Sequence, residues 1–239
     1  MNTNISIINK ILQQRISALA SIVGAVMIFI GSLLVPKTGD ITNIIEMQKA
    51  YGANPKLLQL SALFMVFGFW ALFLGVIGIQ DSINGAGAIW VRIGFYFNFM
   101  GTTVWTIGMS LDISYPAAIT NWLSAQKLNP DVAYSVVTVL SPYGIGRGLF
   151  PIEVIVIWMS YIFIGLGMLK SDLKYKWRGY MGVILGISGL ILGIIMTFTG
   201  RERFTSFFIV LMSVTLIWFL INGIYMLYES KKSNIEKMS

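Results

Sequence analysis

Six apolar runs divide the chain, and polar or Gly/Pro-rich stretches separate them. The runs cover residues 16–35, 55–79, 90–111, 151–169, 179–200 and 205–228. Each approaches the ~20 residues a helix needs to cross the ~30 Å hydrocarbon core of a bilayer. A helix pairs its own backbone N–H and C=O groups, which lipid cannot do for it. The pattern therefore predicts an all-α fold: one integral membrane bundle of six transmembrane helices, a single domain over residues 1–239. The first run is longer than the apolar part of a signal peptide. No small-x-small cleavage site follows it before Pro36, so it reads as a retained span.

Two shorter patterns fall in the long connections. Asp40 is placed to cap a helix over residues 41–51, with Ile41, Ile44, Ile45 and Gln48 along one side and Gly52 closing it. Asn129-Pro130-Asp131 gives an N-cap followed by proline at the first helical position. Val132, Ala133, Val136, Val137 and Leu140 then repeat at helical spacing until Pro142. Both patterns are too short to span and predict two short interfacial helices. Asn54-Pro55 is the same start signal, here opening the second span.

The third run has the most ordered polar pattern. Gly94, Asn98, Gly101, Trp105, Gly108 and Asp112 fall within about 40° of one line along an α-helix. Most other positions are Phe, Val, Ile or Met, so this helix is expected at the centre of the bundle. In the fifth run Gly182, Gly186, Gly189 and Gly193 make two GxxxG units on one face, a close-packing surface in lipid. Gly94, Gly101 and Gly108 with these four are candidate positions for helix packing or for a partner.

Composition fixes the class. Only 11% of residues are charged, against roughly 25% in soluble domains, which leaves no room for a separate soluble domain. The net charge of +7 then acts as an orientation signal, not as a nucleic-acid footprint. Ten of the 17 Lys and Arg fall on the side of the two termini, although the connections on the other side are much longer. The run KSDLKYKWR between the fourth and fifth spans is the sharpest marker. The positive-inside rule predicts a multi-pass protein of the cell membrane with both termini cytoplasmic.

The candidate chemistry is sparse. The chain has neither Cys nor His, which excludes disulfides, thiolate nucleophiles, Cys/His zinc sites and His-ligated haem. No catalytic residue, metal site or cofactor is assigned. Glu153, with Phe150 as cap and Pro151 opening the fourth helix, falls in a first turn. There a carboxylate satisfies orphan amides, or it serves a gate or substrate. Asp112 closes the third helix, where the helix dipole disfavours an anion, so a cation is expected beside it. Arg147 is the first choice, then Arg201 and Arg203. Asp112, Arg147 and Glu153 form a candidate polar mouth. Asn98 and Asn222 sit at similar depth and are expected to touch or share a water. The mid-span indoles Trp70, Trp105, Trp158 and Trp218 either pack or line a cavity for an apolar ligand.

The stretch IFIGLGMLKSDLKYKWRGYMGVILGISGLILGI, continued into the sixth run, places a basic loop, a tryptophan and a GxxxG helix in succession. In this it resembles small six-helix prokaryotic membrane proteins of unknown function. The resemblance implies fold and size only. The expected function is that of a non-enzymatic membrane protein. It would be an accessory or assembly subunit of a membrane complex, or a binder of a lipid or small apolar molecule. Its expected partners are the lipid bilayer and either other membrane subunits or a second copy, not nucleic acid. The alternative is a small transporter or channel-like protein with Asp112, Arg147 and Glu153 at its outer mouth.

Overall fold

The computed structural model describes residues 2–37, 44–126, 142–173, 175–200 and 202–235. Every regular element among them is helical. The α-helices are α1 (Asn2–Leu34), α2 (Ile44–Ala53), α3 (Pro55–Ser82), α4 (Ala88–Gln126), α5 (Pro142–Lys170), α6 (Trp177–Thr199) and α7 (Thr205–Ile235). Short 3-10 turns at Gly85–Gly87 and Glu202–Phe204 complete the set. Gly85 and Gly200 take positive φ (67° and 84°) where α3 turns into α4 and where α6 ends, a region that glycine enters without a Cβ clash.

Among the described residues five stretches are long and apolar enough to cross a membrane: Ile11–Leu34, Pro55–Ser82, Gly148–Lys170, Trp177–Thr199 and Thr205–Lys231. α4 is not among them. Between residues 90 and 112 it carries three glycines, three threonines, Asn98 and Arg92, which dilute its hydropathy. Its 39 residues nevertheless make a rod of about 58 Å, packed between α3 and α5.

Several helix boundaries differ from the sequence reading, beginning with α1, which starts at Asn2 and not near residue 16. α4 runs on to Gln126, so Asp112 sits inside a helix and not at its C-terminus. α5 begins at Pro142, so Pro151 lies within the helix and Glu153 is not in a first turn. A proline costs a helix one N–H donor and crowds the preceding turn. Neighbouring helices make this tolerable in apolar bundles, and the Pro151 carbonyl lies against Gly193 of α6. Gly52 is internal to α2 and does not close it. Asp40 and the helix expected after Asn129 lie outside the described residues.

Small residues set the packing. Ser17, Ser21, Gly24 and Gly31 of α1 face Gly78, Gly75, Gly68 and Ser61 of α3, and Gly24 with Gly31, like Gly68 with Gly75, stand seven apart. A Cβ on Gly24 would stand 2.6 Å from the Gly68 carbonyl oxygen and 2.7 Å from the Leu72 amide nitrogen, so these backbones touch. Gly87, just before α4, and Gly94, Gly101 and Gly108 within it repeat the same step. They meet Gly167, Ser160 with Ile164, Ile157 and Glu153 of α5 in antiparallel order. A seven-residue repeat keeps one seam in register when two helices coil left-handedly. The other side of α5 packs on α6, where a Cβ on Gly186 would lie 2.6 Å from the Ile162 amide nitrogen.

The helices follow one another around the bundle as α6, α5, α4, α3, α1 and α7, with a slight α6–α7 contact closing the circle. Of the five apolar helices α5 is the most enclosed: 56% of its most apolar stretch is buried, against 39% in α1 and α6. Residue by residue, α5 is also buried at more positions over 148–170 than α4 is over 90–112, so the centre belongs to α5 more than to α4. Its Trp158 and Tyr161 reach across to α7, with Tyr161 5.4 Å from the Phe219 ring and 5.8 Å from the Trp218 ring. Flat rings at these separations give the dispersion that holds helices together where no hydrophobic effect acts between them.

Candidate functional site

α1 and α7 are closely joined only over part of their length. Toward the end that carries both chain termini, a Cβ on Gly223 would lie 2.9 Å from the Ala18 carbonyl oxygen, and Ser21 Oγ donates to the Phe219 carbonyl at 3.0 Å. Toward the opposite end, called the far end below, the two helices border a cavity of about 550 Å³. α1 contributes Ile28 to Leu33, α3 contributes Leu58 to Met65, and α7 contributes Thr205 to Leu216. α4 closes the back with Trp105, Met109 and Asp112, beside Phe150 of α5.

The walls are apolar and adaptable. Met65, Met109 and Met212 face the space from three helices, and unbranched thioethers refill irregular volumes readily. Trp105 is 3% exposed and held between Phe69, 4.3 Å away by ring centroids, and Phe208 at 6.4 Å. Its indole Nε1 is buried without a hydrogen-bond partner, a cost carried where packing takes precedence. Gln59 Nε2 donates to the Ile113 carbonyl at 3.1 Å, and Trp70 Nε1 to Thr106 Oγ1 at 3.0 Å. These bonds fasten α3 to α4 at the level of Trp105 and about two turns beyond it toward the far end.

The cavity is polar at its far-end rim, where Ser32, Lys37, Tyr51, Asp112 and Thr205 line it. Phe29 and Leu33 of α1 and Ile209 of α7 line it as well, yet all three are exposed. The opening between α1 and α7 therefore faces sideways from the bundle.

The residues singled out in the sequence divide. Asp112 lines the cavity. Glu153 is 1% exposed and occupies the space that Gly108 leaves by having no side chain. A Cβ on Gly108 would overlap Glu153 Oε1, so the glycine is the socket for the carboxylate, one helical turn from Asp112. The register of the seam brings Phe150 of α5 near Asp112, and the side chain of Arg147, like the whole of Arg201, lies outside the described residues.

Asn98 and Asn222 do not hydrogen-bond each other. Asn98 Nδ2 donates to Ser160 Oγ at 3.1 Å, and Asn222 Nδ2 donates to the Trp218 carbonyl of its own helix at 2.8 Å. Asn222 Oδ1 is buried and unpaired. Equal depth placed the two amides on one level, but each found a nearer partner. Gly182, Gly186, Gly189 and Gly193 are buried and contact α5 within the chain. The glycine face that suggested a partner subunit is therefore covered by the protein's own helix.

Two features escaped the sequence reading. The first is the methionine lining of the cavity: of the four indoles expected to pack or to line one, Trp105 lines it, but Met65, Met109 and Met212 sit on three helices with no common spacing. The second is Arg178, which the sequence marks only as the last residue of the basic run KSDLKYKWR. It is 4% exposed, its guanidinium stacks 4.2 Å over the Tyr225 ring, and its carbonyl accepts from Trp218 Nε1 at 2.9 Å. An arginine at the start of α6 and a helical Tyr–x–x–x–Glu pair on α7, Tyr225 and Glu229, carry no shared signal until the two helices meet.

Among the described residues no cluster of three acidic side chains offers a metal site. What the arrangement can do is hold an apolar body in the cavity with a polar or charged group at its rim. No family model, curated protein or solved structure matches this chain.

Proposed function

We propose that the protein is a six-span membrane protein that binds a lipid or small apolar molecule in the cavity beside Trp105. Five apolar helices support membrane insertion. The place of α4 inside the same bundle, between α3 and α5, supports counting it as the sixth span. The basic residues gathered at the end of the two termini support a cytoplasmic location for both. The far end then faces outward, and α2 beside the α3 start suits an interfacial position. The likeness to small six-helix prokaryotic membrane proteins is part of the same proposal.

The observation that carries the binding reading is the cavity of about 550 Å³, within the size range of small-molecule sites, with apolar walls and a polar rim. Native mass measurement from mild detergent tests it. Wild type is expected to carry a lipid-sized adduct. Met212→Trp and Met109→Trp, each filling the cavity from a different helix, are expected to reduce the adduct at least tenfold without lowering the thermal midpoint. Adduct retained at the wild-type level in both variants overturns the reading.

A transporter-like role is the second reading, and one observation favours it: Glu153 is almost fully buried in the half of α5 nearer the far end. Ionisable groups at such depth mark pathways in many membrane proteins. Glu153→Gln is then expected to abolish a pH-dependent flux in proteoliposomes with the fold intact. Equal flux in variant and wild type removes this reading.

A further inference from the structure

The cavity has a depth, a side opening and, among the described residues, two charges of opposite sign at its rim, and together these narrow its occupant. Along α7 the lining runs from Thr205 to Leu216, eleven steps or about 16 Å of helix. That is close to half of the ~30 Å hydrocarbon core, the depth of one leaflet. The side opening lies between Phe29 and Leu33 of α1 and Ile209 of α7, all exposed on the apolar flank of the bundle. A molecule dissolved in lipid reaches it without crossing water. At the rim, Lys37 follows the end of α1 and Asp112 stands on α4. These helices are not neighbours, since α3 lies between them.

We propose, building on the binding reading above, that the occupant is a zwitterionic phospholipid of the far-end leaflet. It enters sideways between α1 and α7. Its acyl chain lies along Met212, Met65 and Trp105, its phosphate meets Lys37 and its ammonium meets Asp112. The phosphate and ammonium of such a headgroup are charges of opposite sign, as are the two rim groups on either side of the cavity mouth. A carboxylate offers roughly four acceptor sites, which leaves room for an ammonium beside any protein donor. A headgroup with only a negative charge gains Lys37 but is set against Asp112, and like charges brought together at a recognition site cost affinity.

Competition in nanodiscs tests this. Protein is equilibrated with equal amounts of phosphatidylethanolamine, phosphatidylcholine and phosphatidylglycerol, extracted in mild detergent, and the bound lipids are counted by mass. Wild type is expected to hold the two zwitterionic lipids together at least fivefold over phosphatidylglycerol per lipid offered. Asp112→Asn is expected to bring that ratio to about one. Lys37→Gln, at an exposed position, is expected to weaken all three lipids and phosphatidylglycerol most, since that headgroup loses its favourable rim contact while Asp112 remains; the ratio then rises, which decides the question if Asp112→Asn does not fold. Whether the amine or the choline headgroup dominates distinguishes hydrogen bonding to Asp112 from simple charge pairing, and either result supports the proposal. Equal retention of phosphatidylglycerol by wild type, or a ratio that neither variant moves, overturns the headgroup assignment. The binding reading survives that result as long as Met212→Trp still removes every lipid. Absence of any bound lipid from wild type overturns both.

Discussion

Two halves of this bundle pack by opposite means. Along α1–α3 and α4–α5–α6, glycines and serines bring backbones into contact, and a methyl group added at Gly24, Gly165 or Gly186 would fall within 2.7 Å of a neighbouring backbone atom. Around the far-end cavity, α1, α3, α4 and α7 present Met65, Met109, Met212, Trp105 and Phe208, and about 550 Å³ stays open among them. In lipid there is no hydrophobic effect to press helices together, so association relies on close contact and interhelical hydrogen bonds. Small residues in register supply that contact and fix the helices rigidly. Long, flexible side chains keep helices apart and leave space that can change shape. The contrast shows where this protein is built to be fixed and where it is built to accommodate.

The contrast breaks first in the seams. Gly186→Ala puts a methyl 2.6 Å from the Ile162 amide nitrogen and 2.8 Å from the Trp158 carbonyl oxygen. Backbone does not yield as a side chain does, so a loss of about 3 kcal/mol is expected, seen as a clear fall in the thermal midpoint in detergent. Lipid retention per folded molecule should be unchanged. Filling the open half should do the reverse. Met212→Trp is expected to leave the midpoint equal or higher while adduct falls at least tenfold, a difference of about 1.4 kcal/mol in binding.

Smaller effects sharpen the comparison. Trp218→Phe removes the bond to the Arg178 carbonyl, which spans the thin α6–α7 contact. It is expected to cost about 1 kcal/mol and to speed hydrogen exchange at the start of α6 before anywhere in the α1–α3 seam. Asn98→Ala breaks the bond to Ser160 inside the α4–α5 seam. About 0.6 kcal/mol is expected, the average for such a bond in a membrane protein, because the glycine contacts on either side remain. Phe198→Leu, at a position 84% exposed, is expected to change the midpoint by no more than about 0.5 kcal/mol equivalent. A large effect there would mean that the flank of α6 is covered by something other than lipid or detergent.

Much of this follows from local pattern. The apolar runs set the helices, since any backbone in that surrounding must satisfy itself. Asn54-Pro55 does start α3, with proline at its first position. Helix ends were less legible where polarity and helicity part company. The stretch before residue 16, that after Asp112 and that between Pro142 and Pro151 are helical without being continuously apolar. That is why Glu153 and Asp112 were both assigned to helix ends that they do not occupy. Of the candidate mouth, Asp112 reaches the cavity rim, while Glu153 lies in the seam against Gly108.

By itself the sequence determined the class of fold, the approximate helices and the rows of glycine along α4 and α6, because periodicity and hydropathy are properties of one segment at a time. Only the tertiary structure decided what those rows touch. It put α5 at the centre, turned the glycines of α6 inward upon it, gave Asn98 to Ser160 instead of Asn222, and left α1 and α7 apart at the far end. Each of these depends on which two helices are neighbours and in what register. That choice is a sum over many weak contacts between distant segments, and no single stretch of chain contains it.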